Sequence, residues 1–144
     1  MKPAYWDTSA LLAMLFQEAR SSQVRHLAFQ EGGLPGYTSF FTFIEMESAI
    51  ARRLAEGSLA RGALSKLRVE VRELEGALAL LWPDHEILAD ARRHVAELGL
   101  RPADALQLAS ARAAADVEAR VRFASLDERL NEAARAVGLG LAAL

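Results

Sequence analysis

Short apolar runs alternate along the chain with longer segments in which apolar residues recur every three or four positions. Runs of the first kind, Pro3-Ala4-Tyr5-Trp6, Tyr37-Thr38, residues 77–82 and residues 120–124, predict buried strands. Segments of the second kind predict helices over residues 10–16, 21–30, 40–56, 59–75, 87–98, 102–115 and 127–137. The punctuation between them agrees. Ser9 is placed to cap the first helix, Asp84 the fifth, and Pro102 to open the sixth. Gly57 and Gly99 are placed to stop the helices before them. In residues 40–56 the stripe Phe43, Met46, Ile50 and Leu54 marks the buried face. That helix and the next are expected to form a helical hairpin beside the sheet. Strands alternating with helices predict an α/β fold with a mainly parallel central sheet covered on both faces. Ligands in such sheets bind beyond the carboxyl ends of the strands, and Asp7 and Asp127 both fall there.

Composition narrows the function classes. With 144 residues, 52% of them apolar, one domain covering residues 1–144 is expected, with enough apolar surface for a core. No apolar run is long enough to span a bilayer, and no secretory leader pattern opens the sequence, so a membrane role is not expected. The chain has no cysteine, which removes disulfides and thiolate metal sites and fits a cytoplasmic setting. A formal charge of −2 argues against gripping nucleic acid through bulk positive charge, so such contact must be local. The glycines of residues 31–36 are not a phosphate loop: there is no Gly-Lys-Ser/Thr, and a strand follows instead of a helix.

The candidate chemistry lies in acids. Asp7 ends an apolar strand; Asp104 lies in the first turn of its helix and shares a face with Leu108 and Ala111; Asp127 follows the last predicted strand. Glu45 lies nearly opposite the stripe of its helix, below Phe41, while its rival Glu47 falls close to the stripe and could pair with Arg52. Each has an ordinary reading as a cap, a dipole partner or a solvated side chain. For Asp127 that reading is a spectator place beside a capping box of Ser125 and Glu128. Together they read differently. Carboxylates gathered in one crevice repel one another unless protons or cations neutralise them, which points to a hard cation, Mg²⁺ or Mn²⁺. Zinc is not expected, because His26, His85 and His94 show no ligand spacing and read as surface or packing residues. An aspartyl-phosphate nucleophile is disfavoured by Ser9 standing two residues after Asp7.

These segments resemble the PIN-domain family, particularly the toxin ribonucleases of VapBC toxin–antitoxin pairs, over almost the whole chain. Tyr5-Trp6-Asp7-Thr8-Ser9-Ala10-Leu11-Leu12 is similar to the family's opening strand and first acid, and Thr42-Phe43-Ile44-Glu45 with Ala49 to its second motif. Arg101-Pro102-Ala103-Asp104-Ala105-Leu106-Gln107-Leu108-Ala109 and Phe123-Ala124-Ser125-Leu126-Asp127-Glu128-Arg129-Leu130 are similar to the third and fourth, with serine at 125 where many relatives carry threonine. The resemblance implies a three-layer α/β/α fold and metal-dependent endoribonuclease activity. It also implies a homodimer and neutralisation by a small VapB-like antitoxin. On that reading Asp7 and Asp104 are the principal ligands of Mg²⁺ or Mn²⁺, and Glu45 and Asp127 hold metal through water or orient the nucleophile. Thr8 and Ser125 fix carboxylate orientation, and Arg52, Arg53, Arg92, Arg93 and Arg101 are candidate phosphate contacts. A non-catalytic module that keeps the fold, and a nuclease acting on DNA or structured RNA, are the alternatives.

Overall fold

The computed structural model describes residues 3–29 and 36–144. The chain runs β1 (Ala4–Trp6), α1 (Thr8–Leu15), α2 (Ser21–Phe29), β2 (Gly36–Ser39) and α3 (Phe40–Ala55). A 3₁₀ turn (Arg61–Ala63), α4 (Leu64–Ala77), β3 (Ala79–Leu81), α5 (His85–Leu98) and α6 (Pro102–Val117) follow, and β4 (Arg122–Ala124), α7 (Glu128–Ala136) and β5 (Gly140–Leu141) complete it. The five strands form one parallel sheet in the order β3-β2-β1-β4-β5. Helices cover both faces, giving the three-layer α/β/α architecture.

Alternation along β1 divides the core in two. Ala4 and Trp6 face the cluster built by α1 to α4, with Leu11, Met46, Ile50, Leu67 and Val71. Tyr5 faces the opposite cluster, with Leu108 of α6, Phe123 of β4 and Leu130 of α7. A strand buried on both faces has no polar side to show, which is why it reads as a continuous apolar run. Tyr5 and Phe123 stack at 6.1 Å between ring centroids and tie β1 to β4.

Several boundaries move from the sequence expectation. Asp7, not Ser9, occupies the N-cap position of α1, and Ser9 lies inside the first turn with its hydroxyl committed elsewhere. The helix expected over residues 59–75 begins only at Leu64, after a 3₁₀ turn containing Gly62; Gly resists α-helix and the tighter turn accommodates it. The apolar run at residues 77–82 belongs partly to the end of α4, so β3 is three residues long. β5 was not expected: two residues carry no detectable alternation. The hairpin of α3 and α4 is laid over one face of the sheet, since Phe43, Met46, Ile50, Leu67, Val71 and Leu74 all enter the first core. The expected caps at Asp84, which accepts from the Ile87 amide at 2.9 Å, and at Gly99, with φ 64°, are present. Of the turn expected at residues 31–36, only Gly36 lies within the described residues.

Gly36 pairs with Ala4 at the start of the β1–β2 ladder, and a Cβ there would lie 1.9 Å from the Ala4 carbonyl oxygen. The obstacle is backbone, which cannot swing aside. Gly36→Ala is therefore expected to lower stability by about 2 to 3 kcal/mol, read as a lower urea midpoint with an unchanged slope. An unchanged midpoint would mean that the two strands separate easily at this point.

Candidate active site

The strand order reverses between β1 and β4, and the ends of these two parallel strands are stitched together there. The Asp7 amide donates to the Ala124 carbonyl at 2.9 Å. Ser125 donates to Asp7 Oδ2 at 2.8 Å, and Ser9 donates to the same oxygen at 2.7 Å. The Ser9 hydroxyl also accepts the Leu126 amide at 3.0 Å, so one serine braces both strand ends. Asp7 is only 5% exposed, and burial pushes its carboxyl up to about 6; the two serine hydroxyls oppose that rise and the charge of Glu45 adds to it.

Glu45 reaches the same crevice from α3. Its Oε1 accepts from Thr8 at 2.7 Å and from the Gln107 amide at 2.7 Å. Glu47 instead pairs with Arg68 on the outer surface, and of the two glutamates it is Glu45 whose charge reaches Asp7. Thr8 accordingly orients Glu45, whereas Ser125 and Ser9 hold Asp7.

The other two acids form a second pair. Asp104, half-buried in the first turn of α6, is raised chiefly by burial and then by the charge of Asp127, while Arg101 and Arg129 pull it back. Asp127 is exposed and is itself the cap of α7, its Oδ1 accepting the Leu130 amide at 3.2 Å. The capping box expected of Ser125 and Glu128 is not the arrangement found. Ser125 accepts the Asp127 amide at 3.0 Å and donates to Asp7, so it serves the crevice.

Gln107 was missed in the sequence. It is 1% exposed and lies three residues after Asp104 and four before Ala111, the spacings that share a helical face. Its Oε1 accepts from the Tyr5 hydroxyl at 2.6 Å; its Nε2 donates to Glu45 and lies 3.0 Å from both the Thr8 and Thr42 hydroxyls. A polar residue on an apolar helix stripe was the available signal. Of the arginines named above, Arg53 pairs with Glu18 at 2.8 Å and lies over the Phe16 ring, and Arg93 pairs with Asp90. Arg101 is the one whose charge reaches an acid of the crevice, with Arg129 beside it. His94 is buried against Asp90 and Arg112, while His26 and His85 are exposed.

Carboxylates, hydroxyls and the Gln107 amide surround the Asp7–Glu45 pair, and its oxygen ligands suit a hard cation. The acids stand as two pairs, and among the described residues no three acidic or imidazole groups lie close enough to enclose an ion by themselves.

Fold and crevice together define a class: three-layer α/β/α proteins that present acids at the carboxyl edge of a parallel sheet. The chain belongs to the PIN domain family, a nuclease fold, whose family model matches residues 4–136. Among solved structures it is similar to PAE2754 from Pyrobaculum aerophilum, at 17% identity and a TM-score of 0.63, covering 94% of this chain and 86% of that one. It is also similar to FitAcB from Neisseria gonorrhoeae, at 20% identity and a TM-score of 0.54, covering 96% and 95%. These two likenesses bear on the fold. No curated protein sequence matches the chain.

Proposed function

We propose that this protein is a Mg²⁺- or Mn²⁺-dependent endoribonuclease. The observation that carries the reading is the nearly buried Asp7 carboxylate, facing Glu45 at the strand-order reversal with hydroxyls and an amide, and no cationic side chain, as hydrogen-bond partners. Two acids so placed call for a cation.

Asp7 and Asp104 would hold the ion, with Glu45 and Asp127 completing the acidic lining. A bound divalent ion supplies Lewis-acid activation of water and charge stabilisation at a phosphodiester. The chain's own contribution is orientation. Ser9 and Ser125 fix Asp7 Oδ2, while Thr8 and Gln107 fix Glu45 Oε1, so neither carboxylate must reorganise when substrate arrives. Arg101 and Arg129, beside Asp104, are positioned to meet substrate phosphate.

Purified protein is expected to cut single-stranded RNA with Mn²⁺ or Mg²⁺ and to stop in EDTA. Asp104→Asn is expected to reduce the rate at least about a hundredfold while keeping the far-ultraviolet circular dichroism of the parent. Full activity in that variant would remove Asp104 from the site.

The separation of the acids into two pairs favours a second reading, a non-catalytic module that keeps the fold. Calorimetry separates the two: Mn²⁺ binding that disappears in Asp7→Asn supports the nuclease, and no binding supports the module. The toxin role, a homodimer and a small antitoxin partner belong to the first reading, supported by the family resemblance. Co-purification with a small protein encoded immediately upstream would test that assignment.

A further inference from the structure

Trp82 is 65% exposed although it is the largest apolar side chain available for burial at this edge of the sheet. It is not disposed at random. Its ring lies parallel to that of Phe40, 4.2 Å between centroids and 16° between planes. Phe40 follows β2 by one residue and Trp82 follows β3 by one residue, and the last paired positions of these strands, Ser39 and Leu81, face each other. Counting on along the β1–β2 pairing sets Asp7 level with Ser39. The aromatic pair therefore stands on the same carboxyl edge as the acids, Phe40 one strand spacing and Trp82 about two, or roughly 10 Å, from the end of β1. Phe40 also opens the helix that carries Glu45, and Ile44, one turn after Phe40 and 57% exposed, extends the apolar strip to the residue beside that acid.

We propose that Trp82, backed by Phe40, is a stacking platform for an unpaired nucleobase of the strand whose phosphate enters the acidic crevice. The inference rests on the nuclease reading and adds a binding subsite to it.

Charge favours this occupant. A chain of net charge −2 with an acidic crevice must hold a polyanion by something other than bulk attraction, and base stacking supplies affinity that needs no positive charge. Geometry favours it as well. Phe40 occupies one face of the indole and fixes its plane, and the exposed opposite face is flat, as a base requires. Small size tells against a protein partner: the strip comprises Trp82, Phe40 and Ile44, and the chain directly after Pro83 is the exposed polar run Asp84, His85 and Glu86. A base on the platform leaves the next phosphates of the same strand to run toward Asp7. This would select unpaired substrate, because a base within a duplex has no free face.

The test uses the full chain in EDTA, so that binding is read without cleavage, with a short oligoadenylate and an abasic oligomer of the same length as probes. Indole emission reports Trp82, since the other tryptophan, Trp6, is 1% exposed. Oligoadenylate is expected to quench the emission and to bind with little dependence on salt; the abasic oligomer is expected to bind far more weakly. Trp82→Phe should keep most of the affinity, whereas Trp82→Ala and Trp82→Leu should lose about 5- to 100-fold, Leu covering Phe40 without offering an aromatic face. Equal affinity of parent and Trp82→Leu overturns the platform. So does an emission change that follows protein concentration without any oligomer, which would make this edge a contact between copies of the chain. Cleavage with Mn²⁺ is scored separately. Trp82-dependent binding without cleavage leaves the platform standing and removes the nuclease; cleavage with unchanged rate and affinity in Trp82→Leu does the reverse.

Discussion

Asp7→Asn is expected to make the protein more stable at pH 7.5 while lowering RNA cleavage at least about a hundredfold. The stability side follows from burial. Asp7 titrates near 6 in the folded chain, against 3.8 for the unfolded reference. Between those values the folded protein keeps a proton that the unfolded chain has released. The stability contributed by this group is fully present below about pH 4 and is lost as pH rises through 6. Above that, the ionised carboxylate costs the fold about 3 kcal/mol relative to its protonated form. Asparagine has nearly the same shape and no charge, and the Ser9 and Ser125 hydroxyls can turn to suit it. Urea midpoints measured from pH 4 to pH 8 should fall more steeply for the parent than for the variant, in which the raised Asp104 still contributes. Added Mn²⁺ should raise the parent's midpoint alone, because only the parent's carboxylate gains from the ion. Parallel pH profiles would show that Asp7 carries no such burden. A site that costs stability in the ion-free chain is a common exchange of stability for function.

The second large effect is expected at Gln107. Replacing it with leucine conserves most of the volume and removes the acceptor of the Tyr5 hydroxyl and a donor to Glu45. Tyr5 is fully buried, and its hydroxyl proton is held far more tightly than usual, chiefly by burial and then by the charge of Asp7. A buried hydroxyl and a carboxylate that each lose a partner should lower stability by about 2 to 4 kcal/mol in Gln107→Leu. Part of that cost should return in the double variant with Tyr5→Phe, which no longer has a hydroxyl to satisfy. A double-mutant cycle in urea should give a coupling of at least about 1 kcal/mol. Simple additivity would show that the 2.6 Å hydrogen bond contributes nothing measurable.

Much of the architecture was legible because each strand and helix carries its own period. Tyr5, buried between two layers, and the stripe of Phe43, Met46 and Ile50 state their neighbours in local spacing. Caps at Asp84 and Gly99 were legible for the same reason: their chemistry is satisfied within four residues. What failed depended on distant partners. Ser9 looked like a cap because nothing near it in sequence shows that its hydroxyl meets Asp7 and the Leu126 amide. The capping box expected of Ser125 and Glu128 failed because Ser125 is drawn away to Asp7, which leaves Asp127 as the cap. Gln107 was invisible as a hub because its partners Tyr5, Thr8 and Glu45 come from three other elements. The placement of Asp7 and Glu45 in one pocket, and of Asp104 beside Asp127, is tertiary information of the same kind.

The stitching of β1 to β4 also sets a schedule. Asp7 and its partner Ser125 are 118 residues apart in the chain, and the central strand lacks one of its two neighbours until the second of them has been made. A ribosome therefore releases most of the polypeptide before the crevice can exist. Contacts of such long sequence separation form late and slowly in folding. Any nuclease activity built on these acids is consequently confined to chains whose synthesis has passed β4.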